Sequence, residues 1–160
     1  MSNVNVLAAA EYVVVNRISA RTQKPILYTI LYYTQKECWA QYGEKAFEAT
    51  FYKPQMGSFP VCEEVDEKFK KQPTISKDEI KRYHEDIDSR VLAILDEISN
   101  AFIRATSFDM VEIIHDDPSW KACGNGKTIS PKLMKLQYDL KGSDAYRRVR
   151  GKNNNITATV

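Results

Sequence analysis

Between Pro25 and Gly43 residues with an apolar side recur at steps of three and four: Leu27, Ile30, Leu31, Thr34, Cys38 and Tyr42. That period is the signature of an α-helix that buries one stripe. Pro25 suits the first turn, where its missing N–H would have no partner anyway. Gly43 is a natural stop, because glycine takes the left-handed cap at little cost. The same segment carries Tyr28, Tyr32, Tyr33, Trp39 and Tyr42. At 3.6 residues per turn, five large rings cannot all face one core. Tyr28, Tyr32 and Trp39 share a flank. Either they are half-buried core tyrosines with their neighbours, or they form a partner-binding face, where Tyr and Trp are enriched as hot spots.

The rest of the chain follows the same logic. Only six glycines and six prolines occur, clustered at boundaries. A first helix is predicted over 5–17, with Ala8, Ala9 and Ala10 as strong formers. Phe47, Ala49 and Phe51 alternate with polar neighbours, so 47–59 reads as an extended arm or short hairpin that turns at Pro54 and Gly57. Pro60 is expected to restart a helix, with Glu63 and Glu64 near its positive end and Lys68, Lys70 and Lys71 near its negative end. Ser76 and Glu79 form a capping-box pattern. A long helix follows to about Ala105, bent near His84, with Ile87, Val91, Ile94, Leu95, Ile98 and Phe102 as its stripe. Thr106 or Ser107 caps a further helix, which Asp117-Pro118 ends. Ser130-Pro131 opens a last one. The expected fold is mainly α: a compact domain of about six helices spanning 1–141.

Residues 142–160 change character. They hold Arg147, Arg148, Arg150 and Lys152 against Asp144 alone, and they show no core pattern. A basic, flexible tail is expected there. The 160 residues carry 23 Lys and Arg against 21 Asp and Glu. A net charge of +2 argues against a protein that lives on nucleic acid. No run approaches the ~18 apolar residues of a membrane span. Met1-Ser2-Asn3 opens without a basic n-region or cleavage pattern, so a cytoplasmic protein is expected. Cys38, Cys62 and Cys123 are odd in number and widely spaced, the pattern of reduced, packed thiols rather than of a metal or redox pair.

Two motifs invite chemistry. Gly124-Asn125-Gly126-Lys127-Thr128 resembles the end of a phosphate-binding P-loop, but Lys121 stands where the motif's first glycine belongs, and no strand precedes it. A glycine-rich loop between helices is expected. His115-Asp116-Asp117 has no second histidine at ligand spacing, so a histidine favoured at its helix C-terminus is weighed against a partner contact and a catalytic role. No metal site, cofactor or catalytic residue is assigned.

Several segments together resemble a known family. Leu31-Tyr32-Tyr33-Thr34-Gln35, closing at Tyr42-Gly43, is similar to its "LLYYaQ…yG" helix. Residues 49–61 with Glu64-Val65 are similar to its "eAw…GPV…vy" segment. Residues 114–120, from Ile114 through His115 to Trp120, resemble its "TH…PW" motif, and 126–133 its closing stretch. The family is the Panacea domain of SocA-like antitoxins and GepA-like phage-associated proteins, and the resemblance spans about 6–140. The chain departs from it at Ile26 and Thr29, where the family often has lysines. Ser58-Phe59 splits its Gly-Pro-Val, and Ile114 replaces its threonine. The resemblance implies a helical, non-enzymatic antitoxin that neutralises a co-encoded toxin by direct binding. One branch delivers its toxin to a bacterial protease as an adaptor. Tyr32, Tyr33, Trp39, Tyr52, His115 and Trp120 are the candidate partner-binding residues, with the basic tail as a second contact. The competing readings are a nucleic-acid-binding regulator of its own operon, acting through the tail 142–160, and a cysteine-dependent enzyme.

Overall fold

The computed structural model describes residues 4–81 and 86–158. Eight α-helices and four short strands are present among them, so the fold is mainly α. The helix α2 (Lys24–Tyr42) runs through the middle. It packs against α1 (Val6–Asn16), α4 (Ser89–Ala101), α5 (Ser107–His115) and α7 (Pro131–Met134). A helix surrounded in this way must be apolar on most sides. Ile26, Leu27, Ile30, Leu31 and Cys38 are accordingly buried, and so are Tyr28, Tyr32 and Tyr33. Gly43 ends the helix at φ 68°, with its N–H donated to Trp39 O. Gln35 ties α2 to the chain that follows. Its Nε2 donates to Phe47 O at 2.9 Å, while its Oε1 accepts from Ala46 N and Phe47 N.

The extended arm is a small hairpin. Strand β2 (Phe51–Tyr52) pairs antiparallel with β3 (Val61–Cys62). Pro60 therefore does not restart a helix. The chain stays extended through β3, and α3 (Glu63–Lys68) starts after it, with acidic residues at its first turn as the dipole favours. A second pair joins β1 (Arg21–Gln23) to β4 (Thr74–Ser76).

Two expected segments differ. Ser76 and Glu79 do form a capping box, but it caps one 3-10 turn, Lys77–Glu79. The helix α4 starts afresh at Ser89, where Asp88 accepts from Arg90 N. Pairing β4 with β1 anchors the chain ahead of Lys77 and leaves no continuous helix over 76–105. The expected bend at His84 lies outside the described residues. The stripe itself is buried as expected from Val91 through Ile94, Leu95 and Ile98 to Phe102, while Ile87 is half-buried.

The expected flexible tail is instead the helix α8 (Asp144–Ala158), packed on α4 and α5. Tyr146 and Val149 lie about one turn apart on its inner face. Tyr146 and Val149 are buried, and the Tyr146 ring meets Phe102 edge-on at 5.7 Å. Lys152 Nζ reaches Asp109 Oδ2 at 2.5 Å, and Arg148 pairs with Glu112. The two added helices beyond the six expected are α8 and α6 (Pro118–Ala122).

Candidate functional site

The segments 31–42, 51–53 and 117–136 meet around the outer end of α2. Thr106 and Asp109 cap α5 reciprocally, and Asp117 caps α6 by accepting from Ser119 N at 2.9 Å. Ser130 Oγ accepts from Leu133 N to start α7. These caps bring Asp117 and Ser119 against Lys36 on α2. Lys36 Nζ donates to Asp117 Oδ1 at 2.8 Å and also to Ser119 Oγ. The Ser119 hydroxyl donates onward to Leu133 O at 2.6 Å. One polar chain thus stitches α2, α6 and α7. All three side chains are buried. Burial pushes the Lys36 ammonium below its ordinary pKa, against the pull of Asp117.

Tyr32 and Tyr33 stand beside this network. Their hydroxyls and Asp117 Oδ2 are shut from solvent and make no well-formed hydrogen bond. Burial first, and then the charge of Asp117, pushes both phenols well above the ordinary tyrosine value. The rings pack edge-on at 5.0 Å, and Tyr32 packs the same way on Phe51 at 5.7 Å. Tyr32 and Tyr33 are core residues. They are 0% and 1% exposed, because α2 is enclosed at that level.

Trp39, on that last turn, is half-buried. Lys135 Nζ lies 4.3 Å from the centre of its ring, a cation–π distance. Tyr33, Lys36, Trp39, Met134, Lys135 and Tyr138 line a cavity of about 390 Å³ beside it. Trp120 is buried, with Lys53 Nζ 4.6 Å from its ring centre and 2.9 Å from its carbonyl oxygen. Tyr52 is half-buried in β2 and bridges to Thr128. Lys53 links these last two, so the hairpin and the α6 loop form one patch, while Trp39 and Lys135 form a second across α6 and α7. His115 is exposed at the C-terminus of α5.

The glycine-rich run is not a phosphate cradle. It lies along β2, where Gly126 N donates to Lys53 O at 2.7 Å and Lys53 N to Lys127 O at 2.9 Å. Gly126 sits at φ 75°, and a Cβ there would meet Gln55 Oε1 at 2.7 Å. The thiols are no better placed for nucleophilic chemistry. All three are free and buried, and burial pushes Cys38 and Cys62 up to about 12, away from the thiolate that such chemistry needs. Among the described residues no group of three or more His, Cys, Asp or Glu side chains is placed to hold a metal. No helix is long and apolar enough to cross a membrane among those residues.

Lys36, Ser119, Lys53 and Lys135 escape the sequence reading. Asp117 stands out in the sequence as a helix end and as part of His115-Asp116-Asp117, not as the partner of Lys36. One signal was present for Lys36: it follows Tyr32 and Tyr33 by four and three residues, so it shares their flank of the helix.

Comparison with curated proteins and with solved structures gives no match. The family model described as "Antitoxin SocA-like, Panacea domain" matches residues 27–121. That stretch runs from the first turn of α2 into α6 and takes in the Gln35 clamp, the hairpin and the Lys36–Asp117–Ser119 network. It covers more than half of the chain, and the chain belongs to the SocA-like antitoxin family of Panacea domains.

Proposed function

We propose that the protein is a cytoplasmic antitoxin that neutralises a cognate toxin by covering it, without catalysing a reaction. Membership of the SocA-like antitoxin family carries this reading. The surface supports it as well. Trp39 with Lys135, and Tyr52 with Lys53 over Trp120, give two cation-bearing aromatic patches on a rigid base. Aromatic anchors of this kind dominate the energy of a standard interface of about 800 Å² per partner. The rigidity comes from the buried chain through Lys36, Asp117 and Ser119, which fixes α6 and α7 on α2. Trp39 and Tyr52 are the contacts, and Trp120 supports Lys53 from below. His115 is a rim contact at most. Delivery to a protease is a further role that the same surface could serve once the toxin is bound.

The nucleic-acid reading loses ground on the charges of α8. Arg148 and Lys152 are each paired with a carboxylate of α5. That leaves little of the free basic stripe that phosphate-backbone binding requires.

The deciding experiment expresses the small reading frame next to this gene, alone and with this protein, and then purifies the complex. Growth arrest relieved by co-expression, with the two chains co-eluting, is the expected result. Relief without any complex would overturn direct covering. Relief that vanishes when the host protease is deleted would make delivery, not covering, the mechanism.

A further inference from the structure

On the side of the molecule built from β1 and the α4–α5 junction, a second cavity of about 410 Å³ opens to solvent. Its lining includes Arg17, Arg21 and Arg104, and no carboxylate. Arg21 and Arg104 are exposed, and among the described residues neither has an acidic partner.

Arg17 is the unusual member. It is 5% exposed, and buried guanidinium groups are normally paired with an anion. Among the described residues its Nη atoms donate only to Phe102 O and Ile103 O, each at 3.3 Å. Those carbonyls close the C-terminus of α4, so a half-charge of helix dipole is all that answers a full positive charge. Arg17 Nε makes no hydrogen bond, and neither does the buried hydroxyl of Thr22 in the same wall. Burial also pulls the Arg17 pKa down, with no acidic group to raise it. The nearest carboxylate along α5, that of Asp109, is already taken by Lys152 Nζ and Thr106 N.

Three guanidinium groups with no carboxylate partner among the described residues, beside the hydroxyls of Ser19, Thr22 and Thr106, match a polyvalent anion better than a single carboxylate. The volume lies in the range of small-molecule sites. Ile18, 69% exposed at the rim, and Ile26 and Ile103 in the wall offer an apolar side to whatever carries the anion. We propose that this cavity binds the phosphate or diphosphate group of a small molecule, with Arg21 and Arg104 as its direct ligands over the buried charge of Arg17. The site is separate from the Trp39 and Tyr52 patches, so its occupancy is a property of the antitoxin alone.

The test is titration of the full chain with inorganic pyrophosphate in a calorimeter, at ionic strength held constant with sodium chloride. Saturable binding of one pyrophosphate per chain is expected. Arg21→Ala and Arg104→Ala should each weaken it about tenfold or more, as loss of a charge-assisted contact implies. Both positions are exposed, and an unchanged circular dichroism spectrum confirms that the variants fold. Arg17→Ala is avoided because it uncaps α4. Heat that merely tracks ionic strength would overturn the proposal, as would unchanged affinity in the double variant. A double variant that still binds pyrophosphate but loses the toxin would assign the arginines to the protein partner instead.

Discussion

Lys36 Nζ lies 2.8 Å from Asp117 Oδ1, although the two residues are 81 positions apart, and both side chains are all but closed to solvent. A pair so placed holds elements together at the risk of an orphaned charge. Asp117→Ala leaves the ammonium of Lys36 buried without its anion and also removes the cap of α6. A loss of about 3–5 kcal/mol is expected, and Lys36→Met should lose a similar amount. The double change Lys36→Met with Asp117→Leu should recover part of it, because an apolar pair of similar volume can replace a buried ion pair. Urea denaturation of the three variants measures this. Additive losses in the double variant would show that the two groups do not interact.

The buried thiols set a pH dependence. Burial raises Cys38 and Cys62 from an ordinary value of 9.0 to about 12 in the folded chain. Between those values the folded state keeps protons that the unfolded state has lost. Stability from these groups is therefore complete below pH 9 and falls as the pH rises through that window. The slope is about 1.4 kcal/mol per pH unit for each thiol. Tyr28, Tyr32 and Tyr33, also raised, add to the fall above pH 10. Lys36, lowered by burial, acts in the opposite sense below its ordinary value of 10.5. The Cys38→Ala/Cys62→Ala variant isolates the thiols: its stability should fall less steeply than wild type from pH 9 to 11. Parallel slopes would mean that the thiols titrate equally in both states.

What the sequence made legible was local. The start of α2 at Pro25, its end at Gly43, the cap at Thr106 and the Ser130-Pro131 start are each fixed by neighbours within a few residues. The pairing of β1 with β4 is not, because it joins Thr22 to Ile75 across a third of the chain, and three-residue strands carry no usable period. That pairing is why the Ser76 capping box caps a single turn. The burial of Tyr32 and Tyr33 was equally hidden, since a helix wrapped on most sides and a helix with one wet face can hold the same rings. At the site, Trp39 and Tyr52 were visible by residue type. Lys36, which fixes the base beneath them, looked like any surface lysine.

The α4 stripe gives a direct measure of the core. Leu95 is wholly buried, on the helix that packs against both α2 and α8. Leu95→Ala should destabilise by about 2–5 kcal/mol. An unchanged denaturation midpoint would place Leu95 outside the core.

Removing α8 tests whether the C-terminal segment belongs to the domain. A chain ending at Gly142 loses Tyr146 and Val149 and uncovers Phe102. Each buried side chain of that size contributes about 1.5–3 kcal/mol. The truncated chain should unfold at a clearly lower temperature than the full chain, whatever the salt. An identical thermal midpoint would restore the flexible-tail reading.

The last expectation concerns toxin binding, and it separates the two tryptophans by what each touches. Trp39 is half-buried beside its cavity, with Lys135 laid over the ring. Its loss should leave the fold intact and remove an anchor. Trp39→Ala is expected to weaken the complex with the cognate toxin by at least about 2 kcal/mol, roughly thirtyfold, with little change in the denaturation midpoint. Trp120 is buried and carries Lys53 on both its ring and its carbonyl. Trp120→Ala should lower stability first and weaken binding only through the displaced hairpin. Calorimetric titration with the toxin, paired with thermal denaturation of each variant, reads both effects. Normal binding by a folded Trp39→Ala chain would remove the end of α2 from the interface and leave Tyr52 as the anchor to examine.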